Sequence, residues 1–334
     1  MNERPRRPSL PDPGIPDSPP ADTRRVLVSG SVAYDTIMVF DGRFEDHILP
    51  DRTHILNVSF LTTRLKREYG GCAANIAYNL RGLGGEPVIL AAVGHDGLEY
   101  VERLAASGVD TGQIRLDEAH YTAQAFITTD LADNQITAFH PGAMSVGHLV
   151  RVDTALPACW GIVGPNGKQA MIDHARGLAD AGIPFVFDPG QGMPMFDGAE
   201  LRRIIEVASA VVVNDYEAAM LGERTGMSVE AIANEVEALI VTRGGEGSLL
   251  YHEGKREHIE APPVSAVVDP TGCGDAHRGG LLHGLASGWD WRRCARLGSL
   301  MGAIKVESQG PQNHTIDRDI VARRFEQMWG ERPW

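Results

Sequence analysis

The sequence predicts an α/β fold: a three-layer α/β/α sandwich with a mostly parallel central sheet and a small β-sheet lid. Three observations carry that expectation. Short unbroken apolar runs, Val26-Leu27-Val28, Val88-Ile89-Leu90, Phe185-Val186-Phe187, Val211-Val212-Val213 and Leu239-Ile240-Val241, recur along the chain, as strands buried on both faces do. Longer helical patterns separate them, so successive strands connect through crossovers and lie parallel. Two stretches differ in kind, Thr36 to Leu65 and Tyr121 to Phe139. In the second, Ala123 to Thr129 and Gln135 to Phe139 flank a polar turn at Asp130 to Asn134, which is the pattern of a β-hairpin. Together these stretches predict a small sheet folded over the ligand edge of the large one, a lid.

With 334 residues, the chain is long enough for one large domain. From Met1 to about Thr23 it carries seven of its 20 prolines and almost no large apolar residue, so this tail (residues 1–24) is expected to be disordered and the domain to span 25–334. Lysine plus arginine number 31 against 44 aspartate plus glutamate, a formal charge of -13, and no basic stripe interrupts that acidity. Nucleic acid is therefore excluded as a partner. Cys72, Cys159, Cys273 and Cys294 are scattered without a CxxC pair or a secretory leader, which predicts a reducing, cytoplasmic setting. No run approaches the ~18 consecutive apolar residues needed to cross a bilayer, so no membrane span is expected.

Taken in order, five segments carry chemistry. The first strand leads into Gly30-Ser31-Val32-Ala33-Tyr34-Asp35. A carboxylate just past a strand end can accept both hydroxyl hydrogens of a sugar diol, or it can merely stabilise a turn. Gly70-Gly71-Cys72-Ala73-Ala74-Asn75 opens a helix running to about Leu83. Its glycines let a small ligand approach the backbone, and Asn75 offers both a donor and an acceptor. Asn214-Asp215-Tyr216-Glu217 follows a strand; Asn214 and Glu217 share a helix face and could hold Mg²⁺ through water. Thr242-Arg243-Gly244-Gly245-Glu246-Gly247 follows the next strand and could receive a nucleotide's phosphates.

The fifth segment is the most informative: Val267-Val268-Asp269-Pro270-Thr271-Gly272-Cys273-Gly274-Asp275, a predicted strand and glycine turn before a helix from Ala276 to Ala286. Gly272 and Gly274 let the N–H groups converge on one spot, and the helix dipole adds positive potential, which makes an anion hole. Asp275 either takes a proton from a hydroxyl attacking a bound phosphate or simply caps the helix. Cys273 is either an inert small side chain or a thiol acidified by the helix terminus and open to alkylation. Other motifs fail on spacing. His252-Glu253 with His258 lacks the zinc-protease interval, and Gly161 to Lys168 lacks the glycine position and the Ser/Thr of a P-loop.

In chain order these pieces resemble the ribokinase-type (PfkB) carbohydrate kinase family. Gly70 to Ala77, with Gly84 and Gly94, is similar to its first signature; Asp269 to Leu282 is similar to its second, around a GAGD core, with Cys273 where Ala, Ser or Gly is usual and His277 where Phe is usual. Asn214 to Glu217 resembles its NxxE motif and Thr242 to Gly247 its TxGxxG turn. Within the family the chain looks most like bacterial adenosine or broad nucleoside kinases. That likeness rests on Gly30 to Asp35, Gly42-Arg43-Phe44 followed by Leu49-Pro50, Val58-Ser59-Phe60-Leu61, Phe139-His140-Pro141-Gly142-Ala143-Met144 and Leu297-Gly298-Ser299-Leu300.

The resemblance implies a ribokinase-like fold and ATP-dependent phosphorylation of a nucleoside 5′-hydroxyl, adenosine to AMP first, with inosine, guanosine or cytidine beside it. The alternatives are a ribokinase- or fructokinase-type sugar kinase and a catalytically inactive nucleoside-binding protein. It implies Asp275 as the base and the Gly272, Cys273 and Gly274 amides as the anion hole. Asp35, Gly71 and Asn75 would hold the ribose hydroxyls, with Ser31 and Ser59 beside the base and Gln124 and Phe139 reaching in from the lid. Asn214, Glu217, Thr242, Gly244 and Gly247 would hold ATP and the waters of Mg²⁺. Asp269, Thr271 and the turn Ser308-Gln309-Gly310 stand where the family often binds a monovalent cation, here K⁺. Monomer and homodimer both remain open.

Overall fold

The computed structural model describes residues 24–48, 57–132, 134–153 and 156–334. The proline-rich segment and the Leu49-Pro50 pair lie outside them. From the N-terminal side, β1 (Arg25–Ser29) is followed by β2 (Ala33–Phe40), β3 (Thr62–Gly70), α1 (Cys72–Gly82) and β4 (Glu86–Gly94). Next come α2 (Leu98–Ala106), β5 (Ile114–Asp117) and the hairpin β6 (Ala123–Thr129) and β7 (Gln135–His140). Strands and helices then alternate: β8 (Trp160–Val163), α3 (Lys168–Asp180), β9 (Phe185–Phe187), α4 (Gly198–Ile205), β10 (Ala210–Asn214), α5 (Asp215–Thr225), α6 (Val229–Ala233) and β11 (Ala238–Thr242). The chain ends with β12 (Ser248–His252), β13 (Lys255–Ile259), α7 (Cys273–Ala286), α8 (Trp291–Val306) and α9 (Arg318–Trp329).

The large sheet runs β13-β12-β11-β10-β9-β8-β1-β4-β5. Seven strands are parallel, and β12 and β13 close one edge antiparallel. Successive side chains on a strand point to opposite faces, so each apolar run feeds two cores. Val26 and Val28 of β1 pack with Ile76 and Leu80 of α1 and Leu281 and Leu282 of α7, whereas Leu27 packs with Met171 and Leu178 of α3 on the other face. Strand order reverses around β1, which has β8 on one side and β4 on the other. A crevice opens at the strands' carboxyl ends at such a point. Beside it lies the small sheet, β3-β2-β6-β7, with β2 and β6 parallel. Among the described residues no helix is long and apolar enough to cross a membrane.

Two expectations need correction. Val267 and Val268 form no strand: the stretch before α7 is irregular, and Val267 is 75% exposed. The sheet edge is already closed by β13, so the N–H groups of Val268 and Asp269 donate instead to the Val306 carbonyl at the end of α8, at 2.8 and 3.2 Å. Pro262, Pro263 and Pro270 in the same stretch lack the donor a ladder needs. The helix after the glycine turn starts at Cys273, not Ala276, with Gly272 as its N-cap.

Gly71, the residue before α1, is required by the backbone geometry. Its φ is +89°, and a Cβ there would lie 2.6 Å from both the Ala33 nitrogen and the Ser31 carbonyl oxygen. Gly71→Ala is therefore expected to lower the stability by about 1–3 kcal/mol from backbone strain alone, read from urea unfolding. A midpoint equal to that of the parent would contradict the fit.

Candidate active site

The site forms where β1 ends and where α1 and α7 begin. Asp35 lies on β2 in register with Glu68 of β3 and Ala125 of β6. Its carboxylate covers Gly70, where a Cβ would come within 2.5 Å of Oδ2. Burial pushes the Asp35 carboxyl up to about 6, with the charges of Glu68 and Asp269 adding to the shift. Glu68 is itself buried, paired with Lys66, and accepts from Asn313 Nδ2 at 3.1 Å.

Asp275 stands in the first turn of α7, yet it caps nothing: the N-cap receives no side-chain hydrogen bond. Its Oδ2 instead accepts from Asn75 Nδ2 at 2.8 Å, across 200 residues of sequence. Burial pushes this carboxyl up to about 7; Asp188 and Asp35 add to the shift, while the Asn75 bond and Arg278 oppose it. The amide of Asn75 is held in turn. Its Oδ1 accepts from Gln312 Nε2 at 2.8 Å, the same Gln312 amide donates to Tyr100 Oη at 2.6 Å, and Tyr100 donates to the Gly70 carbonyl at 2.8 Å. Arg103 completes the chain by donating to Gln312 Oε1 at 2.8 Å. Asn75 thus faces Asp275 with its donor side because its acceptor side is committed.

Beside Asp275 lies a buried ion pair. Arg278, one turn along α7, donates from Nε to Asp188 Oδ2 at 2.9 Å and from Nη2 to Asp188 Oδ1 at 3.2 Å. Both side chains are almost wholly buried. Sequence reasoning missed both residues, although a lone Arg in a helix of Gly and Leu and an Asp directly after a strand were visible signals. Asn214 and Glu217 form a capping box at the start of α5: Glu217 N–H donates to Asn214 Oδ1 at 2.7 Å, and Asn214 N–H donates to Glu217 Oε2 at 2.8 Å. Burial raises the Glu217 carboxyl above its ordinary range and the Asp188 charge adds to this, against the Asn214 bond and Arg278. A dication would relieve that pressure, so this acidic corner suits Mg²⁺ held through water. Among the described residues no cluster of three or more His, Cys, Asp or Glu side chains forms a closed metal cage.

The glycine turn is closed by its own backbone. Gly272 has φ +79°. The Cys273 N–H donates to the Pro270 carbonyl at 3.1 Å, closing the turn. This corrects the expectation that its amide belongs to the anion hole. The N–H groups of Gly274 and Asp275 in the first turn of α7 have no intrahelical acceptor. Burial also pushes the Cys273 thiol up to about 11, against the Lys305 charge, so it is not an acidified nucleophile. The site for a monovalent cation does not fit one either. Lys305, wholly buried, donates from Nζ to the carbonyls of Asp269 at 2.7 Å and Ser308 at 3.0 Å. The Asp269 carboxylate accepts from the Thr271 and Gly310 N–H groups, each at 2.8 Å, and from Gln309 Nε2 at 3.0 Å.

The remaining predicted residues are spread more widely. Ser31 Oγ accepts from the Cys72 N–H at 3.1 Å beside Gly71. Gln124, on β6, donates to the Thr36 hydroxyl. Phe139 is 52% exposed on β7, and Ser59 is exposed ahead of β3. Thr242 ends β11 in register with Asn214, and Gly244 and Gly247 turn the chain with φ of +54° and +82°. A cleft of about 570 Å³ opens at that turn, lined by Arg243, Gly245, Glu246, Leu249, His258 and Glu260. The structure therefore places Asp35, Gly71, Asn75 and Asp275 close together where α1 and α7 begin, sets Asn214, Glu217, Thr242 and the glycine turn along the neighbouring strand ends, and leaves Ser59 and Phe139 open.

Over residues 30–318 the chain matches the pfkB family of carbohydrate kinases. A nucleoside kinase of Methanothermobacter thermautotrophicus is 30% identical over 323 residues, covering 94% of this chain and 99% of that protein. The solved structure of Burkholderia thailandensis nucleoside kinase in complex with inosine has a TM-score of 0.84 at 49% identity, covering 92% of this chain and 99% of that one. The same protein in complex with ADP-inosine gives 0.82 at 50% identity, covering 92% of this chain and 97% of that one.

His277 is buried on α7 with both ring nitrogens unpartnered among the described residues. Burial, helped by the Arg278 charge, pushes it down to about 3. Because the folded value lies below the unfolded value of roughly 6.5, its contribution to stability is complete above pH 6.5 and is lost as pH falls toward 3. His277→Phe is expected to lessen the fall in unfolding free energy between pH 8 and pH 5 by up to about 2 kcal/mol, at about 1.4 kcal/mol per pH unit for one proton. An unchanged pH slope in urea unfolding would mean that His277 already binds a proton in the fold.

Proposed function

The chain belongs to the pfkB family of carbohydrate kinases, and from that premise we propose that it transfers the γ-phosphoryl group of ATP to the 5′-hydroxyl of a nucleoside. One observation carries the reading: a half-buried carboxyl, Asp275, pushed up to about 7 by desolvation in the first turn of a helix, where the leading N–H groups have no intrahelical acceptor. A base whose pKa lies near the working pH combines a large ionised fraction with a strong drive for proton transfer. Asp275 takes the proton of the 5′-hydroxyl as that oxygen attacks phosphorus, and the N–H groups of Gly272, Gly274 and Asp275 stabilise charge on the transferring group. Phosphoryl transfer asks mainly for position and electrostatics, and the pocket supplies both.

The acceptor half is built from Asp35, Gly71 and Asn75. Asp35, with a value near 6, is mostly ionised at pH 7.5 and accepts from a ribose diol. Asn75 has one N–H committed to Asp275 and one left for the sugar. The small sheet acts as the lid: Phe139 stacks on the base, Gln124 turns from Thr36 to read its edge, and Ser31 and Ser59 border it. Adenosine is the first candidate acceptor; inosine is the second, since the relative at 49% identity was solved in complex with it. At the ATP end, Thr242, Gly244 and Gly247 receive the phosphates. Mg²⁺, held through water by Glu217 and Asn214, supplies charge neutralisation there.

ADP release from Mg-ATP should be measured with adenosine, inosine, guanosine, cytidine, ribose and fructose. The nucleosides are expected to exceed both sugars; turnover on free sugars alone would overturn the acceptor assignment, and silence with every acceptor would favour a binding protein. Asp275→Asn is expected to lower kcat at least ~100-fold while nucleoside still binds. Since ionised Asp275 is the active form, kcat/KM should fall as pH drops through about 7. Asn75→Leu removes a bond that lowers the Asp275 value, so it should move this acid limb to higher pH; a limb that stays in place would separate Asp275 from the titration.

A further inference from the structure

Lys305 is the one lysine among the buried residues, and nothing in the proposed chemistry uses it. It lies in the last turn of α8, where the exposed carbonyl ends of the helix favour a cation. Its Nζ reaches the Asp269 carbonyl at 2.7 Å and the Ser308 carbonyl at 3.0 Å. These oxygens come from the two segments where the family resemblance implied a monovalent cation, Asp269 to Thr271 and Ser308 to Gly310. The Asp269 carboxylate ties the same segments together through Thr271, Gln309 and Gly310 and supplies the negative charge. One positive charge with two short contacts to carbonyl oxygen is already in place, so a free ion has neither these oxygens nor the charge balance left to it.

We propose that Lys305 is a tethered cation that takes the seat of a monovalent ion, fixing the Asp269–Gly274 loop and making the transferase independent of K⁺. The inference rests on the kinase reading for its consequence in activity, and on Lys305 geometry for its site. The route to the chemistry is short. Asp269 is followed by Pro270, whose carbonyl accepts from the Cys273 N–H at 3.1 Å, so holding the Asp269 carbonyl holds the turn that presents Gly272, Gly274 and Asp275. Burial lowers the Lys305 value from its ordinary range, and the Asp269 charge opposes this. An ammonium suits the role better than a guanidinium because it is a compact point charge with three rotatable donors.

The test uses the full chain in chlorides of K⁺, Na⁺, NH₄⁺ and tetramethylammonium at constant ionic strength. Initial rates of the unaltered enzyme are expected to be equal in all four. Lys305→Ala should lose ~10-fold or more in tetramethylammonium, the value of about one charged hydrogen bond, and regain activity saturably with K⁺ or NH₄⁺, which enter the vacated seat. Two further readouts do not depend on turnover. Tl⁺-soaked crystals should show an anomalous peak between the Asp269 and Ser308 carbonyls in Lys305→Ala and none there in the parent, and K⁺ should raise the Tm of the variant alone. Activation of the parent by K⁺, or a Tl⁺ peak at these carbonyls in the parent, would overturn the proposal. So would a variant that K⁺ neither activates nor stabilises. If Lys305→Ala does not fold, the two measurements on the parent decide. A parent silent with every nucleoside in every salt would remove the kinase reading, and the Tl⁺ and Tm readouts would still decide the seat.

Discussion

The part-buried hydrogen bond from Asn75 to Asp275 is the constraint on which the rest of the site depends. It joins the first turns of α1 and α7, which are 200 residues apart in sequence. Moving a carboxyl from 3.8 to about 7 corresponds to roughly 4 kcal/mol against the ionised form. That shift is net of the Asn75 bond, which by itself favours the ionised form by about 1.5–3 kcal/mol, so burial outweighs it and the carboxyl is left poised near neutrality. Had Asp275 capped its helix, the backbone N–H bond would have favoured ionisation and removed the poise. The Gln312, Tyr100 and Arg103 chain behind Asn75 keeps its donor face forward.

Two buried cations flank the glycine turn: Arg278 answers a carboxylate and Lys305 answers main-chain carbonyls. Arg278 binds Asp188 in a two-pronged contact and crosses from α7 to the end of β9. Lys305 binds main-chain oxygens and leaves the Asp269 carboxylate to gather the turn at Gly310. Breaking a buried pair by removing one partner costs about 3–5 kcal/mol because the other charge is stranded. That penalty keeps the loop in one arrangement, which is what positioning a phosphoryl group requires.

Much of this was legible in the sequence, for reasons that can be named. The runs at Val26, Val88, Phe185, Val211 and Leu239 are strands because only a sheet covered on both faces tolerates such unbroken apolar stretches. The glycines at 70, 71, 272 and 274 marked the two helix starts that meet. Val267-Val268 misled because a β-branched pair beside prolines has no open edge to join. Asn214 and Glu217 also carried a local signal, since Asn followed three residues later by Glu is a capping-box pattern. For Cys273, the dipole argument left out burial and the neighbouring Asp269 and Asp275 charges, which push the thiol up. Asp188 with Arg278, Asn75 with Gln312, and Lys305 with Asp269 were out of reach, because each pairing spans tens to hundreds of residues and only the folded topology brings it together.

The measurement that bears most directly on this account is an infrared difference titration of the Asp275 carboxyl, taken as parent minus Asp275→Asn, with aspartate carrying a heavy-carbon label. A protonated carboxyl band that disappears with a midpoint near pH 7 is the predicted result. A midpoint near the ordinary aspartate value of about 4 would contradict it: the pocket would then be open to water, and Asp275 would be no more poised as a base than a surface carboxylate.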